Sequence, residues 1–226
     1  MGRVGEPELT IVIPTIDMLS KRVRVCVETV RAHTNVDHEV IVVDNHTPHQ
    51  GYTAPANAGI RAAQGRYVVL MNDDVEVQPG WWSPLRECLD GGAYAAVPEG
   101  ATPSLDLLNF AGSCLALSRD AIDRVGYSQR DFFDPQFKVW FQDIDLFLEL
   151  CRLGSPPLLA KGSRVVHRRA TTIRTPEDFA LRDWVKEQID KDREAFVRKW
   201  PGGRRGAAAQ QLIQNLRGNA SGSESD

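Results

Sequence analysis

The stretch Tyr67-Val68-Val69-Leu70-Met71-Asn72-Asp73-Asp74-Val75-Glu76-Val77 decides how this chain of 226 residues is read. Five apolar residues, rich in Val and led by Gly65, form a short buried strand. Val75-Glu76-Val77 is a second β-type run, and the acids fall between the two. Packing does not account for carboxylates at the tip of a buried strand. Two side by side repel each other unless something positive lies between or before them. A divalent cation on phosphate oxygens meets that need, because hard cations prefer oxygen ligands. The alternative is a solvated acidic turn.

Upstream, Leu9-Thr10-Ile11-Val12-Ile13 is an apolar strand stopped by Pro14, and Val40-Ile41-Val42-Val43 is another, ending at Asp44-Asn45. Between them Val23, Cys26, Val27 and Val30 recur at i, i+3, i+4 and i+7, which predicts a helix over 21–33. A short helix over 57–64 leads into the Tyr67 strand. This strand–helix alternation predicts an α/β fold with a mostly parallel sheet covered on both faces. Ligands of such sheets bind beyond the carboxyl ends of the strands. Pro14-Thr15, Asp44-Asn45 and Asn72-Asp73-Asp74 all fall there. The second half predicts helices over 118–125, capped by Ser118 and closed by Gly126, and over 141–153, stopped by Gly154. The latter would bury Ile144, Phe147, Leu148 and Cys151. Leu158-Leu159 and Arg164-Val165-Val166 read as two short strands. Thr175-Pro176-Glu177-Asp178 starts a C-terminal helix toward Trp200.

The hydrophobic fraction of 42% and charged fraction of 25% are those of an ordinary globular protein. From Lys161 onward 14 Lys and Arg stand against 9 Asp and Glu, whereas the residues before carry 13 against 21. That basic C-terminal part suits either an anionic partner, such as peripheral contact with membrane phosphates, or a solvated helix face. Nothing resembles a nucleic-acid-binding pattern. Cys26, Cys88, Cys114 and Cys151 form no CxxC and read as reduced thiols, mostly in the core, with Cys88 the least committed. With no signal-peptide pattern before Leu9 and no apolar run near ~18 residues, a cytoplasmic location is expected.

The order of these motifs resembles family 2 glycosyltransferases of the GT-A type, in particular the rhamnosyltransferase-like branch. The residues that carry the resemblance are Thr10-Ile11-Val12-Ile13-Pro14-Thr15, Val42-Val43-Asp44-Asn45, Asn57-Ala58-Gly59, Gly65-Arg66-Tyr67 with Leu70 to Asp74, Gln142-Asp143-Ile144-Asp145-Leu146, Val165-Val166-His167 and the stretch from Phe196 to Trp200. The resemblance implies a GT-A domain over 1–200, with a nucleotide-binding half (9–77), an acceptor half (78–174) and a C-terminal helix (175–200). A partly disordered tail, 201–226, would follow. It implies inverting transfer of a sugar from a UDP- or dTDP-linked donor to a glycan, lipid-linked or small-molecule hydroxyl, with Mn²⁺ or Mg²⁺ as cofactor. An oligomer is compatible with it.

Carried over residue by residue, the resemblance places Pro14, Thr15 and Asn57 at the donor pocket, Asp44 at the base and Asp73 near the ribose or sugar. Asp74 becomes the main metal ligand, His167 assists at the metal or diphosphate, and Asp143 is the general base. Gln142 stands where relatives often have Glu, so Asp143 is the only carboxylate of that pair. Asp145 reads as structural, and Trp81-Trp82 as a helix anchor. Trp140, Phe132 and Phe133 serve either an acceptor platform or the core. Arg168 and Arg169 either clamp a diphosphate or face water, and Gly112 either admits the ligand or ends a strand. His46 and His49 read as loop residues. Two rivals stand beside this reading. A sugar nucleotidyltransferase would carry a Gly-rich basic loop where Pro14-Thr15-Ile16-Asp17 stands. A non-catalytic nucleotide-sugar-binding protein would not need Asp73, Asp74 and Asp143 together.

Overall fold

The computed structural model describes residues 5–46, 50–102, 110, 112–128, 131–168 and 179–201. In chain order the elements are β1 (Leu9–Thr15), α1 (Lys21–His33), β2 (His38–Asp44), α2 (Thr53–Ala62), β3 (Tyr67–Met71), β4 (Val75–Val77) and α3 (Trp82–Asp90). Then come β5 (Ala95–Glu99), β6 (Cys114–Ser118), α4 (Arg119–Val125), α5 (Gln142–Arg152), β7 (Leu158–His167) and α6 (Phe179–Lys199). They form an α/β fold around one mixed sheet of seven strands, ordered β2-β1-β3-β6-β5-β7-β4.

The parallel pairing expected for the first three strands is present, with Thr15 opposite Asp44 in β1–β2 and Leu9 opposite Tyr67 in β1–β3. β6 inserts antiparallel between β3 and β5, and β4 runs antiparallel to β7. Alternation along the central strands covers both faces. Leu9, Ile11, Ile13, Tyr67, Val69 and Met71 pack with Cys26 and Val30 of α1 and Leu85 of α3. Val12, Val68 and Leu70 pack on the other side with Ile60 of α2 and Leu146 and Leu150 of α5. A third cluster joins α5 to α6 through Phe137, Phe141, Leu148, Phe196 and Trp200. Trp81 and Trp82 anchor α3 by burial.

Three local expectations change, and a fourth falls outside the described residues. Helix α2 starts at Thr53 rather than near residue 57, because the Lys138 carbonyl accepts from the backbone N–H groups of both Tyr52 and Thr53. Donors that a helix start normally leaves unpaired are thereby satisfied from 80 or more residues away. The two short strands expected near residues 158 and 164 are one strand, β7, joined through an irregularity where Pro98 pairs Ala160 and Glu99 pairs Arg164. Cys151 is exposed, because the buried residues of α5 are Gln142, Asp145, Leu146, Leu148 and Leu150, of which Leu148 was expected. The predicted α6 start at Thr175-Pro176 lies outside the described residues, and α6 itself ends at Lys199 before Trp200.

The strand order dictates the shape of the working edge. Met71 and Val75 are four residues apart, a span of at most about 14 Å, yet β4 pairs with the far edge of the sheet. The β7–β4 ribbon must therefore curl back over the tip of β3. That curl sets Val75 opposite His167, so the acid pair and the histidine meet.

Candidate active site

At the tips of β1 and β3, Thr15 donates its hydroxyl to Asp73 Oδ2 at 2.7 Å. Arg22, in the first turn of α1, approaches the same oxygen to only 3.8 Å. Burial pushes the Asp73 carboxyl upward, the Thr15 bond and the Arg22 charge pull it down, and burial wins. Pro14 is buried in β1 beside Val43 of β2. Asp44 ends β2 exposed, and its Oδ1 accepts the His46 backbone N–H at 3.0 Å. His46 in turn bonds the Ile16 carbonyl through Nδ1 at 3.0 Å, which makes it a loop clasp. His49 lies outside the described residues.

Asp74 and His167 face each other across the β4–β7 ribbon. His167 Nε2 stops 3.1 Å from Asp74 Oδ1. That oxygen is nevertheless buried without a hydrogen bond, so the approach is close but misaligned. An orphaned carboxylate oxygen beside an imidazole nitrogen suits a shared cation. Neighbouring ligands of an octahedral ion with bonds of about 2.1 Å stand about 3 Å apart. Among the described residues no group of three or more His, Cys, Asp or Glu gathers to hold a metal. The other ligands would then be substrate oxygens and water, as is usual for ions that bind phosphates. The backbone tightens this corner, since Arg168 N–H donates to the Asp74 carbonyl at 3.0 Å. The Arg168 guanidinium points away and grips Glu76 with two bonds of 2.9 and 3.0 Å, and Arg169 is outside the described residues.

Asp143 stands at the start of α5. Its Oδ2 accepts the Gly112 N–H at 3.2 Å and its Oδ1 the Ile144 N–H at 2.9 Å. Burial raises its carboxyl, against the lowering effect of these bonds. Phe141, the residue before α5, ends a tightly held turn. Phe141 adopts φ 74°, a left-handed backbone that costs a non-glycine residue about 1–2 kcal/mol. Its ring sits 5.1 Å from that of Phe196, and this burial holds the conformation. Asp192 of α6 supplies a single buried oxygen that accepts from Lys138, Val139 and Trp140 N–H at 3.0, 2.7 and 3.0 Å. Gly51, at φ 81°, leaves room for the Lys138 carbonyl, which a Cβ there would meet at 2.3 Å. Asp145 points back into the scaffold, bonded by Lys199 Nζ and Trp200 Nε1, each at 2.9 Å. It is structural, as its sequence context suggests. Phe132 and Phe133 are core residues stacked edge to face, whereas Trp140 is 45% exposed beside the α5 start.

Asn57 is not drawn to the Asp73–Asp74 corner. Its buried amide donates to the Phe133 carbonyl and accepts the Phe133 N–H at 2.9 and 2.8 Å, clamping the loop that precedes α5. Tyr52 is a residue that sequence reasoning passed over. Its hydroxyl is buried without a partner. Burial holds the phenol far above its usual range, and the carboxylates of Asp143 and Asp73 add to the effect.

The glycosyl transferase family 2 model matches residues 46–110, the stretch that contains Asn57 and the Asp73-Asp74 tip. That match spans 65 of the 226 residues. Two solved structures share its fold at low identity. The mannosyltransferase PcManGT from Pyrobaculum calidifontis, in complex with GDP-Man and Mn²⁺, superposes with a TM-score of 0.63 at 14% identity, over 93% of this chain and 69% of that one. GalNAc-T7, with UDP, GalNAc and Mn²⁺, gives 0.58 at 14% identity, over 73% of this chain and 44% of that one. The chain thus spans less than half the length of GalNAc-T7 and about two thirds of PcManGT. At these identities the likeness concerns the GT-A fold. No curated protein sequence matches the chain.

Proposed function

We propose that this protein transfers a sugar from a nucleoside-diphosphate sugar to an acceptor hydroxyl, with inversion and with the help of a divalent metal. One observation carries the reading. In a chain whose residues 46–110 match the glycosyl transferase family 2 model, Asp73, the Asp74–His167 pair and Asp143 lie about the tip of β3, with a buried, unbonded carboxylate oxygen on Asp74. UDP, GDP-Man and Mn²⁺ in the two structural neighbours support a nucleotide-sugar donor and Mn²⁺.

Each residue then has a defined task. Asp44, exposed at the end of β2, accepts a hydrogen bond from the base. Thr15 and Pro14 form the floor between base and ribose, and Thr15 orients Asp73 toward the ribose or sugar. Asn57 serves the site by fixing the loop that leads to α5. Asp74 and His167 would hold the metal, which as a Lewis acid stabilises the charge that develops on the leaving diphosphate. Asp143 takes the proton of the acceptor hydroxyl as that oxygen attacks the anomeric carbon. Its raised carboxyl makes it a better proton acceptor than an ordinary aspartate. A single base on the far face of the sugar yields inversion without a covalent intermediate. Trp140, exposed beside α5, offers an aromatic face to the acceptor.

The discriminating experiment is a thermal-shift panel of UDP, dTDP, GDP and CDP, each with and without Mn²⁺. A ligand that binds only the folded state raises the melting temperature. One nucleotide should do so, and more strongly with Mn²⁺. No shift with any of them refutes a nucleotide donor. A shift without turnover of the matching nucleotide-sugars favours the non-catalytic binding protein.

A further inference from the structure

We infer that Arg22 is the phosphate clamp of the donor site, a role that rests on the nucleotide-sugar reading above. The observation is an arginine without an adequate partner. Its Nε is buried with no hydrogen bond, and among the described residues no other arginine has a buried nitrogen in that state. Several other described arginines find oxygens. Arg119 bonds the Ala63 and Gly65 carbonyls, Arg66 reaches Asp90, and Arg168 holds Glu76. Arg22 instead stops 3.8 Å from Asp73 Oδ2, beyond hydrogen-bond range, while the Thr15 hydroxyl occupies that oxygen. Its side chain is only 23% exposed, so water does not fully replace the missing acceptor.

Position and chemistry name the missing partner. Arg22 lies in the first turn of α1, one turn before Cys26, whose thiol sits against Met71 and the Asn72 carbonyl. The guanidinium is thereby held over the tip of β3, at the acid pair. A diphosphate that enters there meets the carboxylates of Asp73 and Asp74, which repel it. Arg22 is a fixed positive charge at that point which the protein itself supplies. A guanidinium only donates, is always charged, and presents paired N–H groups that match two phosphate oxygens. The neutral hydroxyls of a ribose suit the acceptor Asp73 better than they suit a cation. The complementary ligand is therefore a phosphate group of the nucleoside diphosphate, with its ribose left to Asp73.

Calorimetry separates the phosphate from the rest of the ligand. UDP is compared with uridine, and GDP with guanosine, in Mn²⁺, on wild type, Arg22→Gln and Arg22→Lys, after thermal melts show that the variants fold. For the nucleotide that binds, Arg22→Gln should weaken the diphosphate by roughly 10- to 100-fold, the loss of a charge-assisted bond. The nucleoside should change by less than about 2-fold, and Arg22→Lys should fall between because it keeps charge but not the paired donors. An equal loss on diphosphate and nucleoside overturns the assignment and makes Arg22 a support for Asp73. Unchanged diphosphate affinity also overturns it, and leaves the donor reading intact. Wild type that binds no nucleoside diphosphate overturns both.

Discussion

Asp143→Asn and Asp145→Asn separate chemistry from scaffold within one helical turn. Two positions apart on a helix, the side chains point about 200° apart, and here one carboxylate faces Gly112 while the other faces Lys199 and Trp200. Asn at 143 keeps the shape and can still accept the Gly112 N–H, but it cannot take a proton at neutral pH. Turnover should fall by about 10²–10⁴-fold, with donor affinity nearly unchanged. Stability should respond to pH. Burial raises the folded carboxyl above its unfolded value of about 3.9. The folded state then binds the proton more tightly, so this group's contribution is full below the unfolded pKa and is lost as pH rises through the folded one. Asn removes that loss. The melting temperature of the variant relative to wild type should fall as pH falls from neutral toward 4, on top of a constant cost for the one N–H, Gly112 or Ile144, that the single amide oxygen cannot accept. The same raised carboxyl predicts that wild-type turnover declines on acidification at a pH above the ordinary aspartate range.

Asp145→Asn should behave as a scaffold lesion. It weakens a charged bond from Lys199, which keeps its second partner Asp134 at 2.8 Å, and it disturbs the Trp200 bond. The expected cost is about 1–3 kcal/mol, or roughly 2–10 °C in melting temperature for a chain of this size, with little change in kcat. Nucleoside-diphosphate release and circular-dichroism melts read both outcomes. An active Asp143→Asn beside an inactive but folded Asp145→Asn would refute the assignment of the base. Asp143→Asn that melts far below wild type would show that its carboxylate is scaffold.

The remaining predictions concern the donor side and its support. Asp74→Ala should abolish Mn²⁺-dependent nucleotide binding while the fold survives, and His167→Ala should weaken the same metal titration less; full Mn²⁺ dependence in Asp74→Ala refutes the metal corner. Asp44→Ala should lose one hydrogen bond to the base, about 1–2 kcal/mol or roughly 5- to 30-fold by calorimetry, and unaltered affinity places Asp44 outside the pocket. Asp192→Ala strands three N–H groups before α5. It should cost at least about 2 kcal/mol and raise acceptor KM more than donor KM; equal effects on both would show that the loop does not serve the acceptor side.

What the sequence determined alone is what periodicity can carry. The alternation of β1, α1, β2, α2 and β3 follows from apolar residues at spacings that only one backbone geometry buries on one side. The strand tips, with Thr15, Asp44, Asp73 and Asp74, follow from where those runs stop. Tertiary structure decided the partners. Asp74 and His167 are 93 positions apart and meet only because the β7–β4 ribbon curls over β3. Asp192 reads as a solvated acid on a charged helix, yet it is fully buried and organises the turn before Asp143. Asn57 sits in a recognisable motif, yet its amide is spent on Phe133. Arg22 and Tyr52 carry no motif at all, and their unpaired atoms exist only once neighbouring elements exclude water from them. Hydrophobic spacing is a local property of the chain, whereas the partner of a buried polar atom is set by which distant segments close around it. For that reason the three parallel strands β1, β2 and β3 were legible from residue order, whereas the antiparallel insertion of β6, the half-antiparallel pairing of the sheet and the site's wiring were not.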